Sequence, residues 1–340
     1  MKLIVLLVTV LLAAKFFPEP GRISATGTTF ATSDGKPFAW RGITAFRLAE
    51  MVAAGKDAEA AAYLDWAAKN GVTVVRVLAM AQNLFHLSPE AGRLALPPLL
   101  EMAAARGLQI EVVALADTAH FDVNLDEQVR AIGLIAAKYP NAIVEIANEP
   151  FHRTQHPSLH ESSTLIRLAK LVPGEVLVAY GEYGDTAPVA DYLTVHTPRG
   201  GGEPWDHVLA LAGGHGLVER YKRPVVSDEP IGAAPKRDPG RRDNSPERFR
   251  AAAILTRMAG THATFHYEGG LHAKIPSGVE LACFRAWMDG WRQLPEHFEP
   301  KTFKRIDRGP SHTFEAAAGD GVYVLTIRDG RADFAFTKLQ

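Results

Sequence analysis

The chain has 340 residues, of which 47% are hydrophobic, and a formal net charge of −1. This composition is typical of a globular protein, and a near-zero charge without a long basic block argues against nucleic acid as the main partner. The single cysteine, Cys283, excludes an intrachain disulfide. A neutral glycan or small molecule is the substrate class that this composition accommodates most easily.

Residues 1–17 resemble an export leader. Lys2 precedes a stretch that is apolar except for Thr9, residues 3–14, which is too short to span a bilayer comfortably. A charge followed by a short apolar core is the pattern of a secretory signal peptide. We therefore expect a secreted or periplasmic protein without stable membrane insertion; a buried strand or an uncleaved anchor is the alternative.

Beyond the leader, short apolar runs alternate with amphipathic helical patterns. Residues 30–40 predict a hairpin around Asp34-Gly35. Eight predicted strands cover residues 38–46, 72–80, 108–117, 142–150, 175–182, 191–199, 223–230 and 262–270. The predicted helices cover residues 58–69, 98–106, 125–139, 159–171, 205–221, 246–259 and 279–291.

Strand–helix alternation indicates a parallel sheet in an α/β fold, and eight such units predict a (β/α)₈ TIM barrel over residues 25–295. A glycine-rich phosphate loop does not follow the first strand, which disfavours a dinucleotide-binding fold. Only residues 183–190 connect the fifth and sixth strands, so either this crossover is a single turn or the strand assignment slips there. Residues 300–340, with their Gly-Asp-Gly and Asp-Gly turns, predict a small β appendage packed on the barrel.

Polar residues lie at the C-terminal ends of the predicted strands, where TIM barrels hold their chemistry. Arg76 lies on the second strand, Asn148 and Glu149 close the fourth, and Glu229 follows the seventh. The fourth and seventh strands lie across the barrel mouth from each other, so the two glutamates are predicted to face each other. Opposed carboxylates can cleave a glycosidic bond, because one protonates the leaving oxygen while the other attacks or activates water. Asp228, next to Glu229, is the alternative inward carboxylate.

Three segments resemble the clan A glycoside hydrolases, which include the cellulase-like family 5 enzymes. They are Asn-Glu-Pro at 148–150, RGITAF at 41–46 and PVVSDEPIG at 224–232. The resemblance covers residues 38–291 and implies a retaining double displacement that needs neither metal nor cofactor.

The resemblance also implies a role for each matching residue. Glu149 would be the acid/base and Glu229 the nucleophile, with Arg76 keeping Glu229 ionised. Asn148 would hydrogen-bond the sugar 2-hydroxyl. His196 falls where the family often places a histidine that contacts the sugar or the nucleophile.

His120 falls at a similar position after the third strand, and Trp205, after the sixth, is a candidate for stacking on a sugar. The chain departs from the family in two places: no tyrosine follows His196, and no tryptophan ends the eighth strand. His266 or Tyr267 would have to replace that tryptophan. These departures suggest an uncommon branch of the clan and an altered substrate.

Two other functions stay open. Thirteen histidines, several at strand ends, suggest a metal-dependent hydrolase barrel, but the first strand offers no histidine pair for a metal. The two missing aromatic residues suggest a glycan-binding barrel without catalysis, although binding alone would not require opposed carboxylates. The sequence favours a retaining hydrolase of a β-linked glycan or glycoside, and does not identify the sugar or the oligomeric state.

Overall fold

The computed structural model describes residues 20–119, 122–181, 189–197, 203–236, 242–319 and 321–339. The predicted leader, His120 and most of the crossover between the fifth and sixth barrel strands lie outside these ranges. In the part of the chain described, no helix is long and apolar enough to cross a membrane.

A three-stranded antiparallel sheet precedes the barrel and closes its N-terminal end. Its strands are β1 (Ile23–Thr26), β2 (Thr29–Thr32) and β3 (Pro37–Phe38), and β2 with β3 forms the predicted hairpin. Phe30 of this sheet stacks on Trp40, with ring centroids 4.9 Å apart, and Tyr192 lies 5.6 Å from Trp40. These buried rings fill the N-terminal end of the barrel, so the C-terminal end is left as the open mouth.

All eight predicted barrel strands are present and parallel. They are β4 (Arg41–Thr44), β5 (Val74–Leu78), β6 (Gln109–Leu115), β7 (Ala142–Ala147), β8 (Val178–Ala179), β9 (Leu193–Val195), β10 (Val225–Ser227) and β13 (His262–Tyr267). Two short strands, β11 (Gly232–Ala233) and β12 (Arg242–Asp243), extend the sheet beside the end of β13. The chain therefore folds as a (β/α)₈ barrel.

The strand ladder is interrupted at one place in the described residues, between β8 and β9. Asp191 bridges this gap: its backbone N–H donates to the Val178 carbonyl at 3.1 Å, and its carboxylate accepts from the Val178 N–H at 2.9 Å. A side chain thus supplies one of the hydrogen bonds that a strand would otherwise provide.

Helices surround the strands. They are α1 (Leu48–Ala53), α2 (Asp57–Lys69), α3 (Gln82–Phe85), α4 (Pro89–Ala104), α5 (Leu125–Lys138), α6 (Ser162–Ala169), α7 (Pro204–Ala210), α8 (Gly214–Tyr221), α9 (Pro246–Met258) and α10 (Gly278–Arg292).

Helices α1 and α3 were not predicted, α6 is shorter than the predicted 159–171, and two further segments differ from the prediction. Helix α4 starts at Pro89 instead of residue 98, because the Ser88 hydroxyl caps it by accepting from the Ala91 N–H at 3.2 Å. The single helix expected over 205–221 is divided into α7 and α8 by a 3₁₀ turn, Leu211–Gly213. Consecutive glycines at 213 and 214 weaken the helix at that point.

The C-terminal segment forms a four-stranded antiparallel sheet. Its strands are β14 (Thr302–Arg308), β15 (Ser311–Ala318), β16 (Gly321–Arg328) and β17 (Arg331–Lys338). Phe314 and Leu325 on one face belong to the same buried cluster as the barrel helices. The Ala332 N–H donates to the Glu247 carboxylate of α9 at 3.1 Å.

Candidate active site

Arg76 is the centre of a charged cluster inside the barrel mouth. Its side chain is fully buried on β5. Nε and Nη2 donate to the two carboxylate oxygens of Glu145 at 2.8 and 2.9 Å, Nη2 also donates to Asn148 Oδ1 at 3.0 Å, and Nη1 donates to Glu229 Oε1 at 3.3 Å. Burial disfavours its charge, but Glu145, Asp228 and Glu229 outweigh burial and raise the pKa of Arg76 above its ordinary value.

A sharp backbone turn ends β7 and carries Glu149 to the mouth. The Asn148 N–H still donates to the Leu115 carbonyl of β6 at 2.9 Å, as a strand residue would. Glu149 then adopts a left-handed conformation, with φ +43°, directly before Pro150. Such backbone is uncommon for a residue with a side chain and is concentrated at functional sites. The Gln155 amide holds the turn by donating to the Asn148 carbonyl.

Glu229 lies just beyond β10 and is held from several sides. Besides the Arg76 contact, its Oε2 lies 3.8 Å from Nε2 of His266. The other ring nitrogen of His266 is 3.1 Å from the Thr44 hydroxyl, which orients the imidazole. A carboxylate with a guanidinium partner is favoured in its ionised form, as a nucleophile requires.

His196, at the end of β9, lies between the two glutamates. Its Nδ1 is 3.1 Å from Glu149 Oε1, and its Nε2 is 4.0 Å from Glu229 Oε1. One ligand atom from each of the three side chains lies within 4.8 Å of the others. The fourth and seventh barrel strands therefore bring Glu149 and Glu229 together, as the sequence predicted.

The proton in this group is favoured on the imidazole. The hydrogen bond from His196 lowers the pKa of Glu149 despite partial burial. Burial by itself would lower the pKa of His196, but the charge of Glu229 and the contact with Glu149 raise it overall. In the resting site, Glu149 is thus the ionised partner of a charged imidazole, although the proposed acid/base role requires a proton on Glu149.

A second layer of acids lies beneath the mouth. Glu111 accepts a 2.6 Å hydrogen bond from the Tyr192 hydroxyl, and Asp228 accepts one of 3.3 Å from the Thr264 hydroxyl. Glu111 and Asp228 are both fully buried. Asp228 is therefore the deeper member of the Asp228–Glu229 pair, and Glu229 is the one nearer the mouth.

The sequence analysis missed Glu111, Glu145 and Tyr192. Each glutamate interrupts a run of apolar residues, in QIEVV and in IVEIA. A charge inside a buried strand needs a partner, so this interruption was a usable signal.

The comparisons with known proteins agree with this fold. One solved glycoside hydrolase superposes with a TM-score of 0.63 at 16% identity, covering 94% of this chain and 92% of its own. A family 5 glycoside hydrolase from Bacteroides vulgatus gives 0.61 at 15% identity, covering 90% and 80%. A beta-glucanase from Saccharophagus degradans, solved with cellotetraose, gives 0.61 at 12% identity, covering 80% and 94%. The chain shares the fold of the family 5 glycoside hydrolases. No protein-family model and no curated protein sequence matches it.

The eighth strand separates His266 from Tyr267, the two residues that the sequence analysis offered in place of a tryptophan. His266 faces the mouth, 3.8 Å from Glu229. Tyr267 faces the opposite way and is fully buried, with its hydroxyl 2.9 Å from that of Tyr63 and donating to the Lys274 carbonyl at 2.6 Å. Of the two predicted substitutes, only His266 joins the cluster.

The structure does not bring Trp205 to the cluster. Trp205, at the start of α7, packs against the helical layer, and the Arg248 guanidinium lies 6.0 Å from its ring. His120 lies outside the described part of the chain.

Two carboxylate–histidine groups have the spacing of metal ligands. They share His196 and consist of Glu145 and Asp228 or of Glu149 and Glu229. Arg76 already places a fixed positive charge among these carboxylates, bonded to Glu145 and Glu229 and 3.9 Å from Asp228. This charge opposes a second cation in the same space.

Proposed function

We propose that the protein is a retaining glycoside hydrolase acting on a β-linked glycan or glycoside. The observation that carries the proposal is the pair of carboxylates, Glu149 and Glu229, with oxygen atoms within 4.8 Å of each other across the barrel mouth. Retaining enzymes place these groups about 5–5.5 Å apart, whereas inverting enzymes leave room for a water molecule between them. The fold shared with family 5 glycoside hydrolases supports the same reaction class.

In the first step Glu229 attacks the anomeric carbon, and a proton passes from Glu149 to the departing glycosidic oxygen. A covalent glycosyl ester on Glu229 results. In the second step Glu149 takes a proton from water, which attacks the anomeric carbon and releases Glu229. Each half-reaction inverts the anomeric centre, so the product keeps the configuration of the substrate.

His196 supplies the proton that Glu149 lacks in the resting site. A bound sugar excludes water from Glu149, which raises the pKa of that carboxyl. The proton then moves over the 3.1 Å contact from His196 Nδ1 to Glu149 Oε1. A Glu149 protonated in this way can act as the general acid.

Asn148 is oriented to bind the sugar. A guanidinium only donates hydrogen bonds, so the amide oxygen of Asn148 must face Arg76 at 3.0 Å. Its NH₂ group is then the part of the side chain that can donate to a sugar hydroxyl.

The test is a panel of β-glycans, aryl β-glycosides and dinitrophenyl β-glycosides, with NMR to identify the first-formed anomer. We expect Glu149→Gln to lose about 10²–10⁴-fold on unactivated substrates. The same variant should still release dinitrophenolate in a burst, because that leaving group needs no acid. Glu229→Gln should form no covalent intermediate with any substrate.

Glu268→Gln is the matched control, since Glu268 lies on the rim in a 2.7 Å ion pair with Arg242. Binding of a glycan without turnover by the wild type would overturn the hydrolase proposal and favour a binding barrel. An inverted first product would exclude the double displacement.

We also propose that residues 1–17 direct export. Expression with the leader, followed by cell fractionation and N-terminal sequencing, tests this: a mature chain starting beyond the leader outside the cytoplasm is expected.

A further inference from the structure

Four carboxylates surround the one guanidinium of Arg76. Those of Glu145 and Glu229 receive its hydrogen bonds, whereas Glu111 and Asp228 each approach Nε only to 3.9 Å. The single hydrogen on Nε is already donated to Glu145 at 2.8 Å. Arg76 therefore offers Glu111 and Asp228 its charge at a distance, but no hydrogen bond.

The remaining contacts of Glu111 and Asp228 leave one oxygen of each acid without a hydrogen-bond donor in the part of the chain described. Each has one oxygen that accepts from a hydroxyl, of Tyr192 or of Thr264. The other oxygens, Glu111 Oε2 and Asp228 Oδ2, are buried and have no hydrogen-bond partner among the described residues. A buried carboxylate oxygen without a donor carries a large desolvation cost, which a bound proton lowers because a neutral carboxyl costs less to bury than an ionised one.

The charges around the two acids act in opposite directions: Arg76 favours the ionised forms, Glu145 favours the neutral ones, and burial tips the balance towards the neutral forms. Arg76 on β5, Glu145 on β7, Glu229 after β10, and Tyr192 and His196 flanking β9 face them together. Burial and the charge of Glu145 raise the pKa of Glu111 to about 8, and burial with the charge of Glu111 raises that of Asp228 above its ordinary value.

We propose that Glu111 and Asp228 are neutral carboxylic acids in the folded protein at neutral pH. Because they carry no charge, they do not compete with Glu145 and Glu229 for the positive charge of Arg76. Asp228 is then a positioning residue for the nucleophile, acting through Arg76. This second role rests on the proposed function, whereas the protonation state does not.

The protonation state is tested without substrate. Infrared difference spectra at neutral pH should show the carbonyl stretch of protonated carboxyls in wild type. The band should be reduced in Asp228→Asn and in Glu111→Gln, lost in the double variant and retained in full in the rim control Glu268→Gln. The unfolding free energy gives a second measure. A folded pKa above the unfolded value means that the stabilisation is present at low pH and is lost as pH rises through the folded pKa, about 8 for Glu111. We expect wild-type stability to fall between about pH 4.5, the ordinary pKa, and about pH 8, and to level off above that, and Glu111→Gln to flatten the fall by about one proton. Absence of the carbonyl band overturns the proposal.

The positioning role is tested by trapping Glu229 with a 2-fluoro glycoside bearing a dinitrophenyl leaving group, which needs no acid. We expect the wild-type trapping rate to fall above about pH 8 as the ionised acids draw Arg76 from Glu229, and the fall to move to higher pH in Glu111→Gln and Asp228→Asn. If the trapping rate stays constant or rises above about pH 8 in a protein that shows the carbonyl band, the positioning role is wrong but the protonation state stands. A protein that shows the band but processes no glycoside overturns the proposed function and leaves the protonation state standing.

Discussion

The imidazole of His196 joins the two proposed catalytic carboxylates, with Nδ1 3.1 Å from Glu149 and Nε2 4.0 Å from Glu229. The protonation of this one imidazole therefore depends on the charge of both carboxylates. This arrangement explains how the acid can be ionised in the free protein and still act as an acid once substrate has bound.

The pH profile of kcat/KM should show that His196 and Glu149 share one proton. His196 has a raised pKa, and an imidazole ordinarily keeps its proton to a higher pH than a carboxyl does, so a lone Glu149 would lose the shared proton at a lower pH. We therefore expect His196→Gln to move the alkaline limb of kcat/KM towards acid pH, with about a tenfold loss at neutral pH for each unit of displacement.

Dinitrophenyl substrates provide the control for this prediction. Their leaving group needs no proton from an acid, so His196→Gln should not move the alkaline limb of kcat/KM with these substrates. If His196→Gln leaves the alkaline limb of kcat/KM unchanged with unactivated substrates, Glu149 holds its proton without help from His196.

Removal of Arg76 should destabilise the fold strongly. Arg76→Met leaves buried carboxylates without their cation, and breaking such a buried pair costs about 3–5 kcal/mol. Urea denaturation at neutral pH measures this loss. Arg292→Met is the matched control, since its pair with Asp289 is exposed and should contribute less than about 1 kcal/mol. Equal losses in the two variants would show that the buried cluster is not held by this cation.

Much of this site follows from the sequence because barrels place their chemistry at strand ends. Asn148, Glu149, Glu229 and His196 were predicted from that rule together with the family resemblance. Arg76, inside β5, was predicted as the cation beside the nucleophile, and the structure brings these residues together. Their roles in catalysis stay predictions.

The less accurate parts have identifiable physical causes. Glu111 and Glu145 lie inside strands rather than at their ends, so a search of strand ends passed over them. Pro98 looked like a helix start, but the chain already turns helical at Pro89, where Ser88 supplies the cap. Strand alternation could have separated His266 from Tyr267, because neighbouring side chains on a strand face opposite sides.

The eighth strand offers a direct comparison of these two neighbours. His266→Phe removes the contacts with Glu229 and Thr44 and should lower kcat/KM with little change in stability. Tyr267→Phe removes the hydrogen bonds to Tyr63 and the Lys274 carbonyl, each contributing about 0.5–1.5 kcal/mol to stability, and should leave kcat/KM near the wild-type value. Steady-state kinetics and urea denaturation of both variants separate the effects. The reverse pattern would show that Tyr267, not His266, serves the substrate.

Asp117 should control the short helix beside the mouth. Its carboxylate accepts from the backbone N–H groups of Asn83 and Leu84 at 2.8 and 2.9 Å, which fixes α3 and the Phe85 ring at its end. Asp117 also has φ +57°, a conformation that Asn tolerates better than Ala. We therefore expect Asp117→Ala to lose about 1–2 kcal/mol of stability and to raise KM, because two helix-start N–H groups lose their acceptor. Asp117→Asn, which keeps an acceptor oxygen, should stay close to wild type in both measurements. If the two variants lose the same stability, the carboxylate charge, and not its hydrogen bonds, holds the helix in place.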